Sequence, residues 1–482
     1  MLFIFFLLLS AGLIELWIGI GQAMDVLLYG LSYHSVTGTF GNSGLYSIFI
    51  AILLPIAWTY TLRIRSFRKE NFKVKGLIAL SFLYVLLSLF VLPVSMGRTS
   101  WLAALTGCGV VTFLSVHERW GKRAACRLAV ALVGLPVLCA GVGYGLKKDS
   151  ADGRLLIWKI SAPIVKDCFP QGAGEGNFPG VYGEAQEAYF RSGKGTEQEA
   201  YIAGAPNFAY NEYLQIAIEH GLTGIIALLL VAGYSFVRLK SSNNTDRVPL
   251  AGAFAALLVA AFFSYPFRNP YTCLLAAGIV ILTASLPNSK ESSTHKRLRW
   301  GIGLFVFLSI AWGTGKQQGA WGNKRIARQQ WEQLKPHFSA GQFEDIVKNY
   351  AVLYPYLKQE EAFMFEYGQC LSQTEAYEES NRILQEGLAR SSDPMFLNII
   401  GKNYHALGND SLAEAMYRKA AWRIPHKIYP LYLLMELYRQ QGKETEWKAI
   451  AHRILEKKEK IHSPETEYIK KKVKEAIQDS DK

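Results

Sequence analysis

Nine stretches of this chain are rich in Leu, Ile, Val, Ala and Phe and carry few charges: about 2–21, 44–62, 76–95, 100–116, 127–146, 221–237, 248–265, 269–287 and 300–314. Their lengths approach the roughly 20 residues that a helix needs to cross a bilayer, the last run being the shortest. Hydrocarbon offers the backbone no hydrogen-bond partner, so such runs fold as helices that satisfy their own N–H and C=O groups. The predicted fold class is all-α. A polytopic helical membrane domain of about nine spans occupies residues 1–314, and a polar, helix-forming domain occupies 315–482. The opening run lacks a basic start and an A-x-A-like cleavage site, so it reads as a true span rather than a signal peptide.

The loops between these runs alternate in charge. The loops after the second, fourth, sixth and eighth runs hold seventeen Lys and Arg residues, whereas the short alternate loops hold only Arg98 and Arg268. Basic loops stay on the cytoplasmic side. The expected topology has the N-terminus inside the cell, and the long polar stretch at 147–208 and the C-terminal domain outside. The formal net charge of +13 resides in those inner loops, so it is a topology signal rather than a nucleic-acid footprint.

The six cysteines are Cys108, Cys126, Cys139, Cys168, Cys273 and Cys370. Four lie in or beside spans, where Cys is a small apolar residue. Cys168 and Cys370 fall on the outer side, where a disulfide and two free thiols both stay open. No C-x-x-C pair occurs, which removes zinc-finger and haem-attachment readings.

Residues from about 331 onward repeat with a period near 34. The clearest unit runs from Pro394 through Leu397, Ile400, Gly401, Tyr404, Gly408, Ala413, Tyr417 and Ala420 to Pro425. The next follows with Leu431, Leu434, Tyr438 and Gly442, and an earlier one carries Met364, Tyr367, Gly368, Leu371 and Leu384. A weaker unit covers Trp331 to Pro355. Small residues that admit a partner helix, alternating with large ones that fill the gap, are the pattern of tetratricopeptide helix pairs. Such arrays bind peptides or proteins and seldom catalyse. The Lys/Glu-rich stretch 456–482 reads as a solvated cap.

The long loop is unlike a low-complexity linker. It holds Gly153-Arg154-Leu155-Leu156-Ile157-Trp158, then Gly172-Ala173-Gly174-Glu175-Gly176-Asn177-Phe178, and leads to Asn211-Glu212-Tyr213-Leu214-Gln215. Loops of this length are commonly functional. The glycine run is no dinucleotide fingerprint, because no βαβ unit surrounds it. It reads as a tight turn that lets backbone approach a ligand. Arg98, in Ser95-Met96-Gly97-Arg98-Thr99-Ser100, and Arg154 both sit at the hydrocarbon edge, where a guanidinium is tolerated if it meets an anion such as a lipid-linked pyrophosphate. Arg268, in Tyr265-Pro266-Phe267-Arg268-Asn269-Pro270, is a weaker candidate of the same kind. Interfacial anchoring is the plain alternative for all three. The loop carboxylates, including Glu175, Glu184, Glu187 and Glu199, form no D-x-D pair, and no metal site or cofactor is predicted. Glu15 inside the first run is a costly charge and a functional flag. Of the nine histidines, only His34 and His220 fall on the outer side near the membrane domain, so they are the candidate general bases.

Taken together, Gly38-Thr39-Phe40-Gly41-Asn42, Arg98 with its small neighbours, Arg154 with Trp158, the Gly172, Gly174, Gly176, Phe178 run, and Asn211-x-Tyr213-Leu214-Gln215 through Glu219-x-Gly221-Leu222-x-Gly224 resemble the O-antigen ligase and polymerase superfamily. The resemblance covers about residues 1–285. It implies a glycan ligase that uses an undecaprenyl-pyrophosphate-linked donor at the outer face, without metal or nucleotide. The acceptor hydroxyl would lie on lipid A core, a glycan or a protein. It implies that arginines flanking the loop hold the diphosphate, here Arg98 and Arg154, with Trp158, Gly174, Gly176, Asn211, Glu219 and Arg268 lining the substrate. Where the family places a loop His directly before Asn-x-Tyr-Leu, this chain has Tyr210, and a phenol titrating near pH 10 is a poor base. Family members also usually carry additional spans before the Gly-Thr-Phe-Gly-Asn region. The competing expectations are a non-catalytic, membrane-anchored tetratricopeptide scaffold for envelope assembly, an O-antigen polymerase, and a transporter of lipid-linked glycan. A protein partner on the repeat domain is expected for the ligase and for the scaffold alike.

Overall fold

The computed structural model describes residues 1–29, 36–121, 123–124, 145, 148–287, 322–458, 460 and 463–480. Apart from Gly145, the expected spans at 127–146 and 300–314 and the candidate base His34 lie outside the described residues. Among the described residues every regular element is helical, as the apolar runs and the repeat pattern predict. Five of the described helices are long and apolar enough to cross a membrane: α1 (Leu2–Tyr29), α2 (Ser43–Thr61), α3 (Phe72–Val94), α4 (Arg98–Trp120) and, after three helices of the long loop, α8 (Glu212–Ser241). The loop helices are α5 (Lys148–Asp167), α6 (Phe178–Arg191) and α7 (Glu197–Ile202). The shorter apolar helices α9 (Arg247–Phe263) and α10 (Pro270–Ala284) follow α8. The chain then continues into α11 (322–339), α12 (Phe343–Leu357), α13 (Glu361–Gln373), α14 (Tyr377–Leu388), α15 (Pro394–Ala406), α16 (Asp410–Arg423), α17 (Tyr429–Gln440), α18 (Glu444–Glu456) and α19 (Pro464–Ser480).

These helices form two compact units that do not follow chain order. The first comprises 1–148, 210–216 and 223–308; the second comprises 149–209, 217–222 and 309–482. The long loop therefore belongs with the C-terminal helices.

In the first unit α2 is the central helix, buried on nearly every face and packed by α1, α3, α4 and α9. Apolar side chains gain little from leaving lipid, so tight packing must hold such helices together, and small residues permit it. Gly107 on α4 and Gly252 on α9 supply the closest approach. A β-carbon on Gly107 would lie 2.7 Å from the Gly252 carbonyl oxygen, and one on Gly252 would lie 2.8 Å from that of Gly107. Glu15, flagged as a costly intramembrane charge, accepts from the Thr39 amide at 3.0 Å and the Thr39 hydroxyl at 2.5 Å. Two helical turns on, Gln22 Oε1 accepts from both the Thr37 and Gly38 amides at 2.8 Å. The turn before α2 is thus strapped to α1, and Asn42 then caps α2 by accepting from the Leu45 amide at 3.0 Å.

In the second unit the C-terminal helices run as successive antiparallel pairs closed by α19, with two apolar clusters that meet at α15 and α16. The small residues sit under large ones, as the period-34 pattern implies: Gly368 faces Leu384 and Gly401 faces Tyr417. A buried amide network (Asn403 donating to Ser380 Oγ and Asn381 Oδ1, both at 2.9 Å) joins neighbouring pairs. Cys168 and Cys370 are both free thiols.

Candidate functional site

Within the first unit, four sequence motifs meet. The α9 helix ends at Ser264, where the chain turns through a short 3₁₀ segment, Pro266–Arg268, before Asn269 caps α10 by accepting from the Tyr271 amide at 2.9 Å. Every other motif touches this turn. Thr99, next to Arg98 at the start of α4, donates to the Phe263 carbonyl at 3.3 Å. Asn42 Nδ2 donates to the Tyr265 hydroxyl at 3.3 Å. The Tyr210 ring meets that of Tyr265 edge-on at 5.2 Å. Phe40 packs on Tyr271 with ring centroids 5.3 Å apart. Glu212, 1% exposed, accepts from the Phe267 amide at 2.7 Å.

The local chemistry explains this arrangement. Asn211 caps α8 by accepting from the Leu214 amide at 3.0 Å, so Glu212 occupies the first helical turn, where a carboxylate suits the positive end of the dipole. To enter the helix there, Tyr210 takes φ +52°, a backbone region that only Gly adopts without strain. Arg98 is the first residue of α4, and its N-cap, Gly97, has no side chain with which to cap the helix. A guanidinium beside a helix N-terminus is a place suited to an anion. Arg268 ends the 3₁₀ turn in the same assembly. Arg98, Tyr210, Asn211 and Arg268 therefore belong to one structural feature. Sequence reasoning gave no site weight to Glu212, Tyr265 or Asn42, although all three stand inside motifs that it quoted.

Within the second unit, the glycine run closes a break in α8. At Gly221 the helix departs to φ +55°, ψ −140°. The break would orphan backbone groups on both sides, and the glycine run supplies partners for them. The Ala173 amide donates to the Ile218 carbonyl at 2.7 Å, the Gly174 amide to that of Glu219 at 2.9 Å, and the Leu222 amide to that of Pro170 at 2.9 Å. Backbone meets backbone so closely that neither chain tolerates a side chain. A β-carbon on Gly172 would lie 2.5 Å from the Glu219 carbonyl oxygen, and one on Gly221 would lie 2.7 Å from the Gly172 nitrogen. The tight turn expected from these glycines does let backbone approach something, but for Gly172 and Gly174 that is the chain's own broken helix. His220 and Glu219, itself 1% exposed, are the last residues before the break.

Arg154 and Trp158 lie one turn apart on α5, and Trp158 Nε1 donates to the Ala209 carbonyl at 2.9 Å. This bond fixes α5 to the residue before Tyr210. Beside them, a shallow cleft of about 230 Å³ lies between α5 and α7, lined by residues that include Asp152, Leu155, Gln198 and Ile202. Its polar edge is held by Glu199, which accepts from Lys159 Nζ at 2.7 Å, the Tyr189 hydroxyl at 2.8 Å and the Thr196 amide at 3.0 Å. Burial works against the charge, but the bonds from Lys159, Thr196 and Tyr189 outweigh it and pull the Glu199 carboxyl down to about 2. Among the described residues no group of three or more His, Cys, Asp or Glu side chains is arranged to hold a metal ion.

No curated protein and no solved structure matches the chain. Residues 82–229 match the family model described as O-antigen ligase, Wzy_C. This match runs from α3 to α8 and takes in Arg98, Arg154, Trp158, the glycine run, Tyr210, Asn211, Glu219 and His220. Over that stretch, about a third of its length, the chain is similar to the O-antigen ligase family, which supports a membrane protein of glycan processing.

Proposed function

We propose that this protein is an inner-membrane glycan ligase. It transfers an oligo- or polysaccharide from an undecaprenyl-pyrophosphate donor to an acceptor hydroxyl at the periplasmic face, with its N-terminus in the cytoplasm. The observation that carries this reading is the meeting of the 38–42, 97–99, 210–215 and 264–269 motifs in the first unit, with Arg98 and Arg268 among them, beside a ligase-family match over residues 82–229.

In the reaction the acceptor oxygen attacks the anomeric carbon of the donor sugar. The bond from that carbon to the diphosphate oxygen breaks, and the electron pair leaves on undecaprenyl pyrophosphate. A diphosphate is already a good leaving group, so the protein must mainly meet the developing negative charge. Fixed cations do this best, and such electrostatic preorganisation is commonly the largest catalytic contribution. Arg98 and Arg154 take that role, with Arg268 and Asn211 orienting the substrate. The hydroxyl proton goes to a base, a contribution of about 10²–10⁴-fold. Tyr210 stands where the family has a loop His, and its ring is packed on Tyr265. We assign the base to His220, the residue directly before the α8 break. Trp158 and the backbone of Gly174 and Gly176 shape the surrounding loop. The C-terminal helix pairs are read as tetratricopeptide repeats that recruit an acceptor or a protein partner.

Turnover of radiolabelled lipid-linked donor by purified wild-type protein and by Arg154→Ala tests the assignment. A large loss of rate is expected, and equal rates would remove Arg154 from the mechanism. A second reading, a non-catalytic scaffold for envelope assembly, is favoured by Tyr210. It predicts that deleting 315–482 abolishes the cellular phenotype while neutral substitutions at Arg98 and Arg154 leave it intact.

A further inference from the structure

The long loop and the C-terminal helices share more than proximity. The α6 helix, which begins immediately after the glycine run, presents Gly180, Gly183 and Gln186 along one face to the edge of the helix array. At Gly180 the array backbone comes so near that a β-carbon would meet the carbonyl of Ala389 and lie 2.8 Å from that of Leu388. At Gly183 it would lie 3.0 Å from Ser392 Cα and 3.2 Å from the Arg423 guanidinium carbon. Gln186 is fully buried, and its amide is held on three sides. Nε2 donates to the Arg423 carbonyl at 2.6 Å and the Gly204 carbonyl at 2.9 Å, while Oε1 accepts from the Tyr182 hydroxyl at 2.7 Å. Arg423, 3% exposed, carries its charge into this contact within range of Glu187, Glu184 and Asp393. Such buried polar groups stand only where their partners are in place.

We infer that the C-terminal helix array is a positioning element for the reaction, gripping α6 along Gly180, Gly183 and Gln186 and through it holding the glycine run that closes the helix break beneath His220. The covalent route is short. Asn177, at the N-cap position of α6, donates its side-chain amide back to the Ala173 carbonyl at 2.8 Å, and Gly174 and Ala173, three and four residues before it, make the two bonds to the Glu219 and Ile218 carbonyls. A shift of α6 therefore displaces the backbone that fixes the last turn before His220. The array thus acts on the chemistry from within the molecule, in addition to any partner that it recruits. The catalytic half of this inference rests on the ligase reading; the mechanical half does not.

Gly180→Ala in the full-length protein in nanodiscs tests both halves. Alanine favours a helix over glycine by about 1 kcal/mol, so loss of the grip cannot be attributed to a weakened α6. Hydrogen exchange of the 170–176 peptide should quicken at least tenfold. Donor turnover should fall about 10²-fold in kcat, with donor KM little changed, as expected when a reacting group is displaced by the order of 1 Å. Gly278→Ala, where a β-carbon meets nothing within 4 Å, should change neither. Arg423→Lys should retain more of kcat than Arg423→Ala. Unchanged exchange at 170–176 would show that the array does not hold the glycine run. Faster exchange with full kcat would show that the grip does not serve catalysis. A wild type without transfer activity would defeat the ligase reading, and the exchange arm would still decide the mechanical claim.

Discussion

Gly221→Ala bears most directly on the break in α8. The glycine stands at φ +55°, ψ −140°, where an L-residue is strained, and that strain costs about 1–3 kcal/mol. Its β-carbon would also collide with the Pro170 carbonyl and lie 2.8 Å from Gln171 C. The cheapest escape is for α8 to run straight through position 221. The Leu222 amide then returns to the Ile218 carbonyl, and the Ala173 and Gly174 amides lose their acceptors. Two hydrogen bonds at about 1 kcal/mol each give about 2 kcal/mol of lost protection for the glycine run. At 1.4 kcal/mol per factor of ten, that is roughly 30-fold faster amide exchange at Ala173 and Gly174. The same straightening rotates His220 away from its place at the break, so kcat should fall with it. Exchange mass spectrometry on the purified variant, followed by donor turnover, reads both. Wild-type exchange at 170–176 in Gly221→Ala would refute the claim that the break and the glycine run sustain each other.

Other expectations follow from the same geometry. Glu212→Ala strands the Phe267 amide and should destabilise the protein by about 1–3 kcal/mol, whereas Glu212→Gln keeps an acceptor oxygen and most of the stability; identical thermal midpoints for the two would contradict this. At Arg98, lysine keeps the charge but loses the bidentate fork, so Arg98→Lys should retain part of the turnover while Arg98→Ala loses about 10²–10³-fold; equal effects would argue against diphosphate contact. Burial, followed by the nearby cations Lys460, Lys427 and Lys457, pulls the His426 imidazole down to about 4 against a hydrogen bond with Ala200. Its folded value lies below its unfolded value of 6.5, so the unfolded chain binds the extra proton first. The stability from neutral His426 is complete above pH 6.5 and is lost as pH falls toward 4. His426→Gln should flatten the decline in the C-terminal unit's thermal midpoint between pH 6.5 and 4, and an unaltered slope would contradict the assignment.

The apolar runs made the helical class readable, together with the five described helices long enough to span a membrane and the two shorter apolar ones, because a span must satisfy its own backbone whatever surrounds it. The helix pairing between 361 and 456 was equally local: Gly368 under Leu384 and Gly401 under Tyr417 follow from spacing alone. Long-range pairings were not readable. Gln186 bonds a residue 237 positions away, and no period or propensity in α6 points to Arg423. The union of loop and C-terminal helices, which a linear boundary near residue 314 conceals, depends on contacts of that kind. The glycine run was conspicuous in the sequence, but its use required seeing Gly172 and Gly221 back to back. Glu212 escaped notice because a carboxylate in a first helical turn is ordinary, and only burial against the Phe267 amide distinguishes it.

The central claim is bond transfer from a lipid diphosphate. Its most direct test is to supply purified protein in nanodiscs with lipid-linked donor and acceptor and to quantify both products. The account predicts glycosylated acceptor and undecaprenyl pyrophosphate in equal amounts, with both lost together in Arg98→Ala and Arg154→Ala. Intact donor moved across the bilayer without cleavage, or product formation undiminished in those variants, would contradict it.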